Sequence, residues 1–134
     1  MRDQSQKVRL RIAIIDDNDD NRLVFRTFLE DRHDVTEFAD GEQAIIGMKQ
    51  SLPDIVFLDI SLPGVDGIET LRRIREDDTL RTLQVIAFTA HAMLGDRERF
   101  LKLGFDGYLS KPINLRIITQ IVEGARLPAS GASA

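Results

Sequence analysis

The stretch Asp54-Ile55-Val56-Phe57-Leu58-Asp59 decides the fold. Four consecutive apolar residues, strand-favouring β-branched and aromatic types among them, run between two carboxylates. A short run of this kind suits a strand covered on both faces of a parallel sheet. It ends in Asp59, and Leu62-Pro63-Gly64 just beyond reads as a turn. A carboxylate at the C-terminal end of a central strand stands where open α/β sheets place their ligands.

The chain on either side repeats the pattern. Val8 to Ile15 reads as a first strand, buried over Ile12 to Ile15, and it stops at Asp16-Asp17-Asn18-Asp19-Asp20. A helix follows, with Val24, Phe25, Phe28 and Leu29 spaced as a core-facing stripe. Asp34 to Ala39 suits a short edge strand. Asp40 is an N-cap with Gln43 three residues on, and Ala44, Ile45 and Met48 form the buried face of the second helix, which Leu52-Pro53 stops. Beyond the opening strand, Ile68, Leu71 and Ile74 mark a third helix with Arg72, Arg73 and Arg75 outside. Leu83 to Phe88 is a fourth strand ending in Thr89-Ala90. A fourth helix lies within Met93 to Leu103 and closes at Gly104. Gly107 to Ser110 is a fifth strand ending at Lys111-Pro112. The last helix runs from its cap Asn114 to Ala125 on a stripe of Leu115, Ile118, Ile121 and Val122.

Five strands alternating with five helices predict an α/β fold. The expected form is a flavodoxin-like, doubly wound (βα)5 sandwich with a five-stranded parallel sheet in order 2-1-3-4-5, since a barrel needs eight strands. Residues 1–7 read as a disordered lead-in, 8–126 as the folded domain and 127–134 as a flexible tail.

Composition narrows the class. At 134 residues the chain is one domain, able to bury roughly two-thirds of its unfolded surface. It has no cysteine, so disulfides and thiolate metal sites are excluded. No apolar run approaches the ~20 residues of a membrane span, and the polar start lacks a signal-peptide core. The net charge of −4 argues against a nucleic-acid surface. A cytoplasmic protein with neither nucleic acid nor membrane as partner is expected.

The strand ends carry the chemistry. Asp16 and Asp17, Asp59, Thr89 and Lys111 each follow or close a strand, and in a parallel sheet these ends share one edge. Two unit charges about 4 Å apart cost on the order of 4 kcal/mol at an effective dielectric near 20, so three carboxylates in one cleft need a cation. Hard oxygen ligands without His or Cys select Mg²⁺ or Mn²⁺. With the Lys111 ammonium and the Thr89 hydroxyl, the set suits a phosphoryl group, with a carboxylate as nucleophile. Taken singly, Asp16-Asp17 reads equally as a helix cap, Asp59 more often as a turn former, Thr89 as a strand-end residue and Lys111 as a solvated side chain; their coincidence on one edge points to Asp59 as phosphoacceptor.

The pieces Ile14-Ile15-Asp16-Asp17-Asn18, Asp54 to Asp59, Leu62-Pro63-Gly64-Val65-Asp66-Gly67, Phe88-Thr89-Ala90 and Gly107-Tyr108-Leu109-Ser110-Lys111-Pro112 resemble, in order and spacing, the receiver domains of two-component response regulators. The residues from Thr89 to Met93 and from Gly104 to Tyr108 are similar to stand-alone cell-cycle regulators and to the receiver modules of hybrid histidine kinases. The resemblance implies that Asp17 and Asp59 bind Mg²⁺ directly, Asp16 through water, and Ser61 through its backbone carbonyl. It implies that Lys111, Thr89 and the Ala90 amide contact the phosphoryl group. Tyr108 would be an aromatic switch coupled to Thr89, and Lys111-Pro112 a cis bond. Leu62, Val65 and Phe88 depart from the common pattern at positions expected to leave the chemistry untouched.

The expected function is a phosphorelay switch. A histidine kinase or histidine phosphotransferase donates to Asp59, and the signal leaves through helix 4, strand 5 and helix 5 to an output protein. Such a receiver catalyses only its own phosphorylation and dephosphorylation. The alternatives are a phosphorylation-independent docking module and a small aspartyl-phosphate phosphatase. The latter would need a general acid two residues after Asp59, where Ser61 stands. His91 reads as a solvated loop histidine or, with Ser61, as a flank that tunes phosphoryl lifetime. His33 is expected at the surface, and Arg72, Arg73, Arg75 and Arg81 on a solvated face balanced by Glu76, Asp77 and Asp78.

Overall fold

The computed structural model of the chain describes residues 9–62, 66–90 and 93–125. In chain order the elements are β1 (Arg11–Ile15), α1 (Asp19–Leu29), β2 (Asp34–Phe38), α2 (Gly41–Gln50), β3 (Ile55–Asp59), α3 (Gly67–Glu76), β4 (Gln84–Thr89), α4 (Asp96–Leu103), β5 (Gly107–Ser110) and α5 (Leu115–Ala125). All strand pairs are parallel, and the sheet order is β2-β1-β3-β4-β5, as the alternation predicts.

β3 is central and all five of its residues are buried. Successive side chains of a strand face opposite sides, so β3 supplies two cores. Val56 and Leu58 join Ala13, Ile15, Val85 and Ala87 beneath Ala44 and Met48 of α2, Leu71 and Ile74 of α3 and Phe100 of α4. Ile55 and Phe57 join Ile12, Ile14, Ile86 and Phe88 beneath Phe25 and Leu29 of α1 and Ile118 and Val122 of α5. A strand covered twice has no polar face, hence the unbroken apolar run. Asp54 fixes its start: the Asp54 carboxylate accepts the Arg11 N–H at 2.8 Å and the Asp54 N–H donates to the Arg11 carbonyl at 2.6 Å.

The helices begin where their caps stand. Asn18, Asp40 and Asp66 each accept, on the side chain, the N–H three residues on. Asn114 accepts the N–H groups of Arg116 and Ile117. α4 differs. It starts from Gly95 at φ +87° with no side-chain cap and closes on Gly104 at φ +115°.

Several expectations are corrected. Val24 and Phe28 are exposed, because α1 packs its apolar side on the sheet along Phe25 and Leu29. Leu115 is likewise exposed, leaving Ile118 and Val122 as the buried stripe of α5. His33 is not a surface residue: it is buried, and its Nδ1 accepts the Leu10 N–H at 3.1 Å. Arg75 is not solvated. Its guanidinium makes five hydrogen bonds, to the carbonyls of Arg81 and Leu83, twice to that of Gly104, and to Asp106 Oδ2. Arg72 and Arg73 are exposed as expected, and Arg72 pairs with Glu76 at 2.7 Å, but both also pair with Glu69, whose carboxyl their hydrogen bonds hold down at about 2. Asp77 pairs with Lys49 of α2, at 2.9 Å. The expected lead-in and tail lie outside the described residues.

Gly67 ties the fold to the site. A Cβ there would stand 2.5 Å from the Asp59 carbonyl oxygen and 2.5 Å from the Ile60 Cα. The start of α3 therefore packs directly on the end of β3. Gly67→Ala should cost about 1–3 kcal/mol in urea denaturation, as overpacking against backbone does; a cost within error would refute this close approach.

Asp77 gives a pH signature. Its carboxyl is held below its ordinary value by Lys49 and by the N–H groups of Thr79 and Leu80. A depressed carboxylate contributes stability above its unfolded pKa of about 3.9, and that contribution is lost as pH falls through the lower folded value. The melting-temperature gap between wild type and Asp77→Asn should stay constant from pH 7 to 5 and shrink below about pH 4.

Candidate functional site

The ends of β1, β3, β4 and β5 bring together residues far apart in sequence. Asp16 follows β1, and its N–H donates to the Phe38 carbonyl at 3.0 Å. Asp59 and Thr89 close β3 and β4, and both are buried. Lys111 follows β5, its N–H bonded to the Thr89 carbonyl at 2.8 Å, and the Lys111-Pro112 peptide is cis. Asp16, Asp17 and Asp59 each offer a carboxylate oxygen, and the three oxygens lie within 4.8 Å of one another.

Asp59 is gripped from both sides. Its Oδ1 accepts the Ser61 N–H at 2.9 Å and the Ser61 hydroxyl at 3.0 Å, and its Oδ2 takes the Lys111 ammonium at 3.1 Å. Lys111 Nζ also lies 3.5 Å from Asp16 Oδ2 and 5.0 Å from the centre of the Phe88 ring. Phe88 thus touches the site's one ammonium through a cation–π contact, contrary to the sequence expectation.

Asp16 is fully buried. Burial pushes its carboxyl up from the ordinary value; the Asn18 N–H, the Asn21 amide and Lys111 pull it down, and the charge of Asp59 adds to the rise. Its Oδ1 accepts the Asn18 N–H and its Oδ2 the Asn21 Nδ2, both at 2.9 Å, while Arg22 Nη1 donates to its carbonyl at 2.6 Å. Asn21 and Arg22 were not anticipated from the sequence. The available signal was their place in the first turn of α1, three and four residues past the cap Asn18.

Three carboxylates face a single ammonium, so the cleft carries excess negative charge. The donor set is oxygen alone, and Asp17 is exposed to solvent. Such a set fits Mg²⁺, which keeps several waters and takes one or two carboxylates.

The remaining candidates are dispersed. Ala90 is exposed next to Thr89. His91 lies outside the described residues. Tyr108 stacks on Phe100 with ring centres 5.4 Å apart; its hydroxyl is buried and makes no hydrogen bond to the described residues. Asp96, buried at the start of α4, accepts the Met93 N–H at 2.7 Å.

Residues 12–123 match the family model of the response regulator receiver domain. The chain belongs to that family. It is 37% identical over 105 residues to the polar-differentiation response regulator DivK of Brucella anthropi, covering 78% of this chain and 85% of that one. It is 36% identical over 116 residues to the sensor protein GacS of Pseudomonas syringae, covering 84% of this receiver but 13% of GacS. Among solved structures, the receiver domain of the sensor histidine kinase PA1611 from Pseudomonas aeruginosa PAO1, with a magnesium ion coordinated in its active-site cleft, superimposes with a TM-score of 0.78 at 33% identity. That match covers 87% of this chain and 97% of the other. This receiver is thus a domain of two-component signalling. Among the described residues no helix is long and apolar enough to cross a membrane.

Tyr108 is the single tyrosine, so its ionisation can be read directly. Burial, and secondarily the charge of Asp96, raise its pKa above the ordinary 10.0. A raised acid disfavours the folded state as pH climbs past the unfolded value of about 10. Phenolate absorbance should titrate above that value in the folded protein and at about 10 in urea. Asp96→Asn should lower the folded midpoint, and coincident folded and unfolded midpoints would contradict the assignment.

Proposed function

We propose that this receiver is a phosphorylation-dependent switch in which Asp59 takes a phosphoryl group from a phosphohistidine of a kinase or phosphotransferase. The observation that carries the reading is the arrangement of Asp59 itself, buried, ion-paired to Lys111 and ringed by Asp16 and Asp17.

Asp59 attacks phosphorus; the new O–P bond forms as the N–P bond of the donor breaks, and the imidazole nitrogen keeps the electron pair. Asp16, Asp17, Asp59 and the Ser61 carbonyl would hold Mg²⁺, with Mn²⁺ able to replace it. When bound, the metal neutralises the carboxylates and the transferring phosphoryl oxygens. Lys111, already 3.1 Å from Asp59 Oδ2, turns to the phosphoryl oxygens, which also accept from the Thr89 hydroxyl and the Ala90 N–H. The Ser61 N–H and hydroxyl hold the other carboxylate oxygen and so fix the direction of attack. Ser61 and His91 set the lifetime of the product by admitting or excluding water.

Phosphorylation adds roughly −1.5 to −2 of charge. Drawing in Thr89 frees room beside Tyr108, and the α4–β5–α5 face shifts between two packings. That face carries exposed Met93, Leu94, Leu101, Leu103, Leu115 and Ile117, a surface suited to an output protein. The unit that switches spans residues 8–126 and works in the cytoplasm.

Incubation with Mg²⁺ and a small acyl-phosphate donor, followed by intact mass, tests the reading. Wild type should gain one phosphoryl group, and both Asp59→Asn and omission of Mg²⁺ should abolish the gain. An unmodified wild type, or equal labelling of Asp59→Asn, would sink it.

A further inference from the structure

We propose that Asn21 is a positioning residue of the metal site, a neutral clamp that holds the Asp16 carboxylate for the cation and leaves Lys111 to Asp59. The inference rests on the proposed metal site and extends it to a residue of α1 outside the acidic set.

Three observations carry it. Asn21 is held at both ends: its backbone N–H donates to Asn18 Oδ1 at 2.9 Å, and its side-chain Nδ2 donates to Asp16 Oδ2 at 2.9 Å. An ionised carboxylate only accepts, so the amide nitrogen must be the atom that faces it. Asp16 has no freedom elsewhere. Its other oxygen takes the Asn18 N–H, its carbonyl takes Arg22 Nη1, and no solvent reaches it. Arg22 is itself anchored by Asp19 and by Glu37, so the backbone beneath Asp16 is tied to both α1 and β2.

The third observation is the position of Lys111, 3.1 Å from Asp59 Oδ2 and 3.5 Å from Asp16 Oδ2. One ammonium stands between two buried carboxylates. Without the Asn21 amide, Asp16 Oδ2 would be a buried acceptor with Lys111 as its nearest donor. Closing that gap would turn Asp16 away from the cleft and draw Lys111 off Asp59. A lysine or arginine at position 21 would hold Asp16 as firmly, but its charge would compete with the cation. An amide supplies the bond without the charge. Outer partners of this kind orient ligands and are commonly worth a large factor in metal affinity.

The test uses Mn²⁺ as probe, titrated into the full chain and followed by the electron paramagnetic resonance of the free aquo ion. Melting of each metal-free variant by circular dichroism is the control. Wild type should bind one Mn²⁺, and Asp17→Asn should lose it. Asn21→Ala should keep the fold and bind about tenfold more weakly, and Asn21→Gln, which restores the amide on a longer arm, should recover most of that loss. Should Asn21→Ala fail to fold, Asn21→Ser, whose hydroxyl is too short to span the gap, takes its place. Wild-type affinity in a folded Asn21→Ala, or a lowered melting temperature with unchanged affinity, would overturn the proposal and leave the receiver reading standing. A wild type that binds no Mn²⁺ would overturn both.

Discussion

Like-charge repulsion at one edge of the sheet is the constraint on which the rest depends. Asp16 and Asp59 are buried, Asp17 stands beside them, and among the described residues one ammonium, Lys111, answers Asp59 and Asp16. Buried carboxylates in such an arrangement are tolerable only when every oxygen has a donor or a cation. The donors present are those nearby turns can supply: the Asn18 N–H, the Asn21 amide, and the Ser61 N–H and hydroxyl. They orient the carboxylates without cancelling their charge. The site is therefore left poised for a dication, and the neutral donors keep it so.

The fold serves that constraint by making the edge rigid. β3 delivers Asp59 from between β1 and β4, with a packed core on each face. Gly67 lets α3 start against the Asp59 carbonyl, and the Asn18 cap starts α1 against Asp16. Both helices start beside the carboxylate edge, and a helix N-terminus favours negative charge. Apolar burial thus positions groups that would separate if left to their own electrostatics.

Much of this was legible in the sequence, for a definite reason. Strand ends in a parallel sheet are neighbours whatever their separation along the chain, so Asp16, Asp17, Asp59, Thr89 and Lys111 could be gathered on paper once the alternation was read. What escaped depended on side chains reaching across elements. The reach of Arg75 from α3 to the α4–β5 turn leaves no mark in local periodicity, and neither does the ring of Phe88 under Lys111. His33 read as a surface residue because nothing near it in sequence announces that it caps the Leu10 N–H. Val24 and Phe28 have the right spacing for a buried stripe, but α1 shares its face of the sheet with α5. That face therefore has room for only one row of its side chains.

The two ends of α4 are held in different ways. At the far end, Arg75 spends all five of its donors on the turns around it, and two go to the carbonyl of Gly104. Asp106, which completes that clasp, also accepts the Val85 N–H at 2.8 Å and so binds the α4–β5 turn to β4. The near end is held only within its own segment, where the Asp96 carboxylate accepts the Met93 N–H at 2.7 Å. Gly95 offers no side-chain cap, Leu94 is fully exposed, and the stacked Phe100 and Tyr108 lie beneath with a hydroxyl that lacks a hydrogen bond to the described residues. α4 is thus clasped to α3 and β4 through the turn at its C-terminal end, whereas its N-terminal end is capped from within its own segment.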